Sequence, residues 1–443
     1  MKHLISLSSF LLLGSLSAQT PVAIPDTLDL PTAISYALDN NFAIRQAQQR
    51  IKEQDGLIVE VRSRALPNVS LDASYTEIDS GLSEPSPFFP PTQNDWRVSL
   101  NVKQALYTGG GVRAALRAQD YLEQAVVSDL KATINEAVFL VTVGFYDVLL
   151  ALEKIDVQEL NIKLLQDELL NAENRYQAGT VSRFEVLRAE VALANAQPEL
   201  IRARNGFKIA VEELRQDLGF SGVYMEEIDK VPEFMGDLEF EPVQMNLLAA
   251  MNTARINRPE LQQLELVASA REEGVIIERA GKLPNVDLVG SYQYNRAPSS
   301  SSFSDSLDGW TIGVQSSWDI WDGKATEGRI QQARAQLEQA RLNLGEATLR
   351  VEVEVRRALH DLQQAAELSN ASVKVIEQAE ESLRLANELY SAGQGTQLDV
   401  LQSQVALTES RLNQLEAFHG YKIAQAALSR SLGNAIPYEA SVQ

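Results

Sequence analysis

The chain contains no cysteine and only three histidines. The first absence excludes disulfides, thiolate zinc sites, iron–sulfur clusters and a lipid carried on an N-terminal cysteine. His3 falls in an apolar N-terminal stretch, which leaves His360, between Leu359 and Asp361, and His419, between Phe418 and Gly420, both in helical contexts. They read as partly exposed helical residues rather than acid/base groups. Basic charge is scarce too: 39 Lys and Arg face 60 Asp and Glu, a net charge of -21 that repels nucleic-acid phosphates. After the N-terminal stretch no apolar run approaches the roughly 20 residues of a membrane-spanning helix, so any membrane insertion must use strands. No glycine-rich phosphate loop or nucleophile elbow follows a predicted strand. The acidic pairs Glu212–Glu213 and Glu380–Glu381 are adjacent, about 100° apart on a helix, and read as solvated faces. Neither an enzyme nor a cofactor or metal centre is expected.

What is present begins with Lys2, an apolar run from Leu4 to Leu13 and small residues around Ser15, Ser17 and Ala18, the pattern of a secretory signal over residues 1–18. Export without disulfides suits a bacterial envelope. The rest of the chain is duplicated. Leu66-Pro-Asn-Val-Ser-Leu-Asp-Ala-Ser-Tyr75 returns as Leu283-Pro-Asn-Val-Asp-Leu-Val-Gly-Ser-Tyr292, a step of 217 residues. Downstream, Tyr176, Gly179, Val186, Leu187, Lys208 and Gly219 return as Tyr390, Gly393, Val400, Leu401, Lys422 and Gly433, a step of 214. The missing three residues fall between Tyr75 and Trp96, where the first copy carries a Pro-rich insertion, Glu84 to Pro91; a tolerated length change marks a loop. The organisation expected is a first repeat over 19–219, a linker over 220–243, a second repeat over 244–433 and a tail over 434–443.

Each repeat reads as helix, strand, loop, strand and two helices. Pro67 and Pro284 end the first helix, and Gly109 to Gly111 and Gly323 mark the return from strand to helix. Between those marks Val98, Leu100 and Val102 alternate with Arg97, Ser99, Asn101 and Lys103, and Trp310, Ile312 and Val314 with Thr311, Gly313 and Gln315. These are strands with one apolar face, about ten residues long, enough to cross an outer membrane when tilted. The Ser- and Pro-rich segments Thr76 to Asp95 and Asn295 to Asp308 are expected to face the exterior.

From Gly109 to Tyr176 and from Gly323 to Tyr390 there is no proline, and each stretch as one helix reaches roughly 100 Å. No compact domain holds such a helix. In the second, Ile330, Leu337, Leu344, Val351 and Ala358 recur every seven residues, a coiled-coil seam. Ala335, Leu342 and Leu349 form another row two residues away, about 200° around the helix. Opposed seams require a neighbour on each side and describe a wall one helix thick. The shorter helices, Phe42 to Ala65 and Phe184 to Asp217, nearly match a long helix when laid end to end, leaving a girdle at the splice where 220–243 is expected to lie. Four strands cannot close a barrel, and eight leave no water-filled interior. An open lumen needs at least three chains, which give twelve strands.

In these features the chain resembles the TolC family of outer-membrane efflux proteins. The resemblance rests on the duplicated Leu-Pro-Asn-Val, on Tyr107-Thr-Gly-Gly and Trp321-Asp-Gly after the second strands, and on Tyr-x-x-Gly followed by Glu185-Val-Leu or Asp399-Val-Leu. Asn257-Arg258-Pro259-Glu260-Leu261 keeps a family pattern for which the first repeat has Asn41-Phe42. It implies a mainly α fold with a membrane β-barrel part: long helical hairpins forming a periplasmic tube, and four strands per chain in a trimeric 12-stranded barrel. It further implies a homotrimeric duct in contact with outer-membrane lipid, docked to a periplasmic adaptor and an inner-membrane pump of RND, ABC or MFS type. Drug efflux, metal-ion efflux and type I protein secretion stay equally open. A non-conducting, envelope-spanning coiled-coil spacer is the alternative. The turns at Tyr176 to Gly179 and Tyr390 to Gly393 are expected at the far mouth of the tube. There Glu185 and Asp399 would sit at helix starts, ring the opening and favour cations. Contacts with Tyr176, Tyr390 or Arg183 would hold the resting mouth closed. The second repeat has Gly395 and Gln402 where the family can carry Arg and Asp, which shifts the basic candidates to Arg183 and Arg188 of the first repeat.

Overall fold

The computed structural model describes residues 26–79, 81, 94–220, 231–243, 245–297 and 302–434. The export segment, the Glu84 to Pro91 insertion and the tail after 434 lie outside them. The first repeat begins with β1 (Thr27–Asp29), α1 (Leu30–Asn40) and α2 (Phe42–Ser63), followed by β2 (Asn68–Glu77) and β3 (Asn94–Thr108). It ends with α3 (Gly111–Gln177) and α4 (Arg183–Leu218). After β4 (Glu233–Met235) the order recurs as α5 (Leu247–Asn257), α6 (Pro259–Ala280), β5 (Asn285–Arg296), β6 (Ser306–Ser317), α7 (Ala325–Ser391) and α8 (Gln397–Ser431). Among the described residues no helix is apolar enough over 18 residues to cross a membrane.

The two long helices have 67 residues each, about 100 Å, and contain no proline. Helix α3 packs against α2 and α4 and also against α6 and α8, which pack in turn against α7. The wall is therefore a row of staves. On α7 the first seam is buried at Ile330, Val351 and Ala358, whereas Leu342 and Leu349 of the second are each 65 % exposed. The described residues of its own chain leave that face of α7 largely uncovered.

Two apolar clusters mark the girdle at mid-height. One gathers Val141, Phe145 and Leu149 of α3 with Leu214 and Leu218 of α4, Ala33 and Ala37 of α1 and Leu28 of β1. Its counterpart gathers Val351, Val355 and Leu362 of α7 with Leu428 of α8, Leu261 of α6 and Ala250 and Ala254 of α5. The short helices α1 and α5 and the parallel pair β1–β4, in register from Thr27 opposite Glu233, are elements that the sequence pattern did not indicate. Each is too short to carry a period of its own and forms against the girdle.

The splices explain two glycines. Helix α4 ends on Gly219 (φ +79°), whose N–H bonds the Gln216 carbonyl at 3.1 Å. A Cβ on it would lie 2.4 Å from the Asn40 carbonyl oxygen, because the start of α2 abuts this end. Asn41 stitches the joint: its Oδ1 accepts from Ala43 N at 2.8 Å and its Nδ2 donates to the Asp217 carbonyl at 2.7 Å. In the second repeat Gly433 (φ +80°) stands against Asn257, a Cβ coming 2.7 Å from its backbone. There Arg258 makes the stitch, donating from Nη1 to the Arg430 carbonyl at 3.3 Å and pairing with Glu354.

The four-stranded antiparallel sheet has the order β2-β3-β5-β6, so β2 and β6 are open edges. Strand β3 runs 15 residues, longer than the ten expected, and the hairpin ends extend into the expected loop segments at Thr76, Asp95, Asn295 and Asp308.

Gly219→Ala and Gly433→Ala combine a left-handed backbone with a backbone clash and are each expected to cost more than about 2 kcal/mol. Gly179→Ala shares the positive φ but meets open space, and is expected to cost about 1–2 kcal/mol. Thermal melts followed by circular dichroism of the three variants check the ranking.

Candidate functional site

The sheet separates two chemistries by parity. Val69, Leu71, Ala73 and Tyr75 of β2 stand opposite Val102, Leu100, Val98 and Trp96 of β3. On the same face Leu100 pairs with Tyr292 of β5, and Tyr292 with Trp310 of β6. The other face is polar: Asn101 Nδ2 donates to Asp72 Oδ2 at 2.6 Å, and Lys103 pairs with Asp287 at 2.9 Å. A sheet apolar on one side and polar on the other, with its apolar residues exposed, fits a barrel between lipid and water.

At the opposite end, both long helices reverse through left-handed glycines, Gly179 (φ +76°) and Gly393 (φ +72°). The turns are closed by Thr180 N to the Arg175 carbonyl and by Gln394 N to the Leu389 carbonyl, each 2.9 Å. Beside them Tyr390, buried at the end of α7, donates its O–H to Glu185 Oε2 in the first turn of α4 at 3.0 Å. The bond joins the two hairpins. The Arg175 guanidinium lies 4.3 Å over the Tyr390 ring. Burial first, then the hydrogen bond to Glu185 and the charge of that carboxylate, push the Tyr390 hydroxyl up to about 12. It thus stays a donor across all physiological pH.

The remaining expected residues are placed otherwise. Asp399 does not reach the hairpin contact: it closes a capping box with Thr396, accepting from Thr396 N at 2.9 Å and from its hydroxyl at 2.7 Å. Those bonds hold its carboxyl below the usual carboxylate range. Tyr176 and Arg183 are exposed, and Arg188 lies 4.6 Å over the Phe184 ring of its own helix. Glu185 is joined by Tyr390, not by Tyr176 or Arg183.

Further participants come from a stripe on α3 that recurs every seven residues and meets α8. Asp147 bonds His419 Nε2 at 2.7 Å, and Lys154 pairs with Glu416 at 2.7 Å. Below them Asn161 Oδ1 accepts from Thr408 at 3.2 Å, and Glu168 Oε1 accepts from Gln397 Nε2 at 3.3 Å. Arg175 completes the series against Tyr390 of α7. Over 28 residues, about 42 Å, the junction between hairpins carries polar rungs. Inside the hairpins, Leu165 packs with Ala196, and Ala386 and Tyr390 with Val400, beside the ion pairs Arg204–Glu159 and Arg411–Glu380, and Leu401 of α8 joins Leu165 and Ala196 across the junction. Burial raises the Glu168 carboxyl, aided by the charge of Glu185 and opposed by Gln397, Asn171 and Arg175.

The model of the family described as outer membrane efflux protein matches residues 33–220 and 250–434, one segment for each repeat. The chain belongs to the outer membrane efflux protein family. Protein CyaE of Bordetella pertussis is 26 % identical over 86 % of this chain and 78 % of its own. Outer membrane protein TolC of Escherichia coli K12 is 24 % identical over 85 % and 76 %. The CmeC outer membrane channel of Campylobacter jejuni superposes with a TM-score of 0.80 at 15 % identity, covering 92 % of this chain and 86 % of that one. The fold class expected from the sequence, long helices with a few membrane strands, is the one observed. Family membership gives the chain its place in the outer membrane and its role as an efflux duct, a transport function.

A carboxyl raised in the folded protein adds stability below the ordinary carboxylate range and loses it as pH rises through the raised value. Glu168→Gln keeps the partner and removes the charge. It is expected to raise the thermal midpoint at pH 7.5 and to leave it at the wild-type value at pH 4, as melts at the two pH values will test.

Proposed function

We propose that three copies close into one continuous duct, with β6 of each chain pairing β2 of the next and the exposed seam of α7 covered by α2 and α4 of a neighbour. The two open edges carry this reading. An unpaired strand edge leaves its N–H and C=O groups without partners in hydrocarbon, at several kcal/mol each. Exposed apolar residues on α2 such as Leu57 and Val59 stand on the strand side of the girdle, as do the uncovered Leu342 and Leu349, and those on α4 such as Val191 and Ile201 stand at the level of the exposed Val375 and Leu385. Residues 1–18 direct export, the strands cross the outer membrane, and the helical turns open into the periplasm toward an adaptor and an inner-membrane pump. RND, ABC and MFS pumps fit equally, and so do drugs, metal ions and proteins as cargo.

The turns form a gate. Tyr390, Glu185 and Arg175 hold the hairpins together at rest, and the hairpins part along the polar rungs between α3 and α8, where separation exposes groups that water can satisfy. A hydrogen bond to a charged acceptor contributes about 1.5–3 kcal/mol, and three copies act together. Gly179 and Gly393 let the turns reverse, while Asp399 caps its helix and Arg183 and Arg188 remain free to meet a neighbouring chain or the adaptor.

Light scattering in detergent is expected to give three times the mass of the processed chain, which lacks residues 1–18 of the 48.9 kDa sequence; a folded monomer would overturn the architecture. In planar bilayers the wild-type trimer should conduct weakly at rest. Tyr390→Phe and Glu185→Gln should raise that conductance several-fold, and Asp399→Asn should leave it unchanged while lowering the thermal midpoint. A trimer that never conducts would favour the spacer.

A further inference from the structure

At girdle height the uncovered face of α7 turns basic. Arg356 and Arg357 are exposed there, and among the described residues neither is in an ion pair. Glu352 and Glu354, the nearest acids on the same helix, are held by Arg255 and Arg258. The last turns of α4, at the other edge of the chain, are acidic. Glu212 and Glu213 are exposed, and Glu212 accepts from Arg215 Nη1 at 2.9 Å through Oε1 alone. Burial first, then the charge of Glu213, hold the Asp217 carboxyl above the usual carboxylate range. Each edge thus carries charge that its own chain does not compensate.

The internal repeat shows how the two edges meet. Within the chain the long helix α3 packs against the spliced helix α8, and the step of 214 residues carries α3 onto α7 and α4 onto α8. A neighbouring copy that lays its α4 on α7 therefore reproduces the α3–α8 junction. In that junction Thr142 and Ala426, 2 % and 7 % exposed, line one small cavity with Phe139 and Arg430. The equivalents of Thr142 and Ala426 are Arg356 on α7 and Glu212 on α4. Phe139 and Arg430, which stack at 5.0 Å, are replaced by Val353 and Gln216, and that exchange leaves room for the two larger charged side chains.

We propose that Arg356 of one copy pairs with Glu212 of the next, and that this clasp sets the register between subunits at the girdle; this rests on the reading that three copies close into a ring. Two flanking contacts transpose with it. Asp147 bonds His419 inside the chain, and their equivalents Asp361 and Asn205 form a carboxylate–amide pair between copies. Glu136 pairs with Arg430 at 2.5 Å, and their equivalents Arg350 and Gln216 form a guanidinium–carbonyl pair. Arg357 adds a second cation against Glu213 and Asp217. Lys208 and Asp361 stand one turn away and offset each other, so the joint as a whole is balanced.

The polarity is what makes the clasp selective. Inside the chain the acid at this height, Glu136, is on the long helix and the base, Arg430, on the spliced one. Between copies the order is reversed, with the bases on α7 and the acids on α4. Two α7 edges, or an α7 edge laid on α8 of another copy, would set cation against cation, a repulsion that rejects wrong pairings. Once covered by the neighbouring stave, either member of the pair left alone is a desolvated charge without a partner.

The absence of cysteine makes the contact directly testable. Arg356→Cys combined with Glu212→Cys, purified as the assembled protein and oxidised, should run as covalent dimers and trimers on a denaturing gel, while Arg356→Cys alone runs as monomer. Only monomer from the double variant, in a protein that scatters light as a trimer, overturns the clasp and leaves the ring standing; a folded wild-type monomer overturns both. A second measurement needs no cysteine. Arg356→Met and Glu212→Gln should each speed dissociation of the trimer in detergent about tenfold, and the two together also about tenfold, because either change alone already breaks the pair. Effects that multiply to about a hundredfold, or single variants that dissociate like wild type, overturn the pairing.

Discussion

A helix of 67 residues has no interior to fold around. Its apolar surface is satisfied only by neighbours laid alongside, and two seams on opposite faces demand two neighbours. One chain supplies both for α3 but only one for α7, and its sheet ends in two open edges. The helical and strand portions thus lack their missing partner on the same principle, and a closed ring of copies satisfies both at once. The long helices fix the rest: the girdle sits at their midpoint because the shorter helices must be spliced somewhere, and the proposed gate sits at their ends because that is where the chain reverses.

Much of this was legible. The expected stretches from Gly109 to Tyr176 and Gly323 to Tyr390 differ from α3 and α7 by two residues at the start and one at the end, because glycine marks both limits. The splices and the alternating strands were readable from proline, glycine and period. The elements α1, α5, β1 and β4 were not, since three to eleven residues held by Leu28, Ala33 or Ala254 against the girdle show no period of their own. At the site, Tyr390 and Glu185 were singled out and are in contact, while Asp399 turned inward to its own cap. Arg175, Glu168 and Gln397 were missed. Their signal was present, because Asp147, Lys154, Asn161, Glu168 and Arg175 recur by seven, but a search for apolar seams passes over a polar one.

The two repeats reach one geometry with different residues. At the splice, an asparagine amide and an arginine guanidinium both bond the last turn of the helix that ends there. At the start of the long helices Gly110 and Lys324 occupy equivalent positions with φ of +86° and +73°, so the second copy tolerates a left-handed lysine where the first uses glycine. Duplication preserved the backbone path and left the chemistry of the joints free to diverge.

The splices also decide how mechanical work moves through the tube. Helices α3 and α7 run unbroken from the turns to the strands, whereas α4 and α8 end at the girdle on glycine and hand over to α2 and α6 through a few hydrogen bonds. On the proposed topology, torque applied at the turns would be carried toward the strands by the two continuous staves, with the spliced staves acting as slip joints at the girdle.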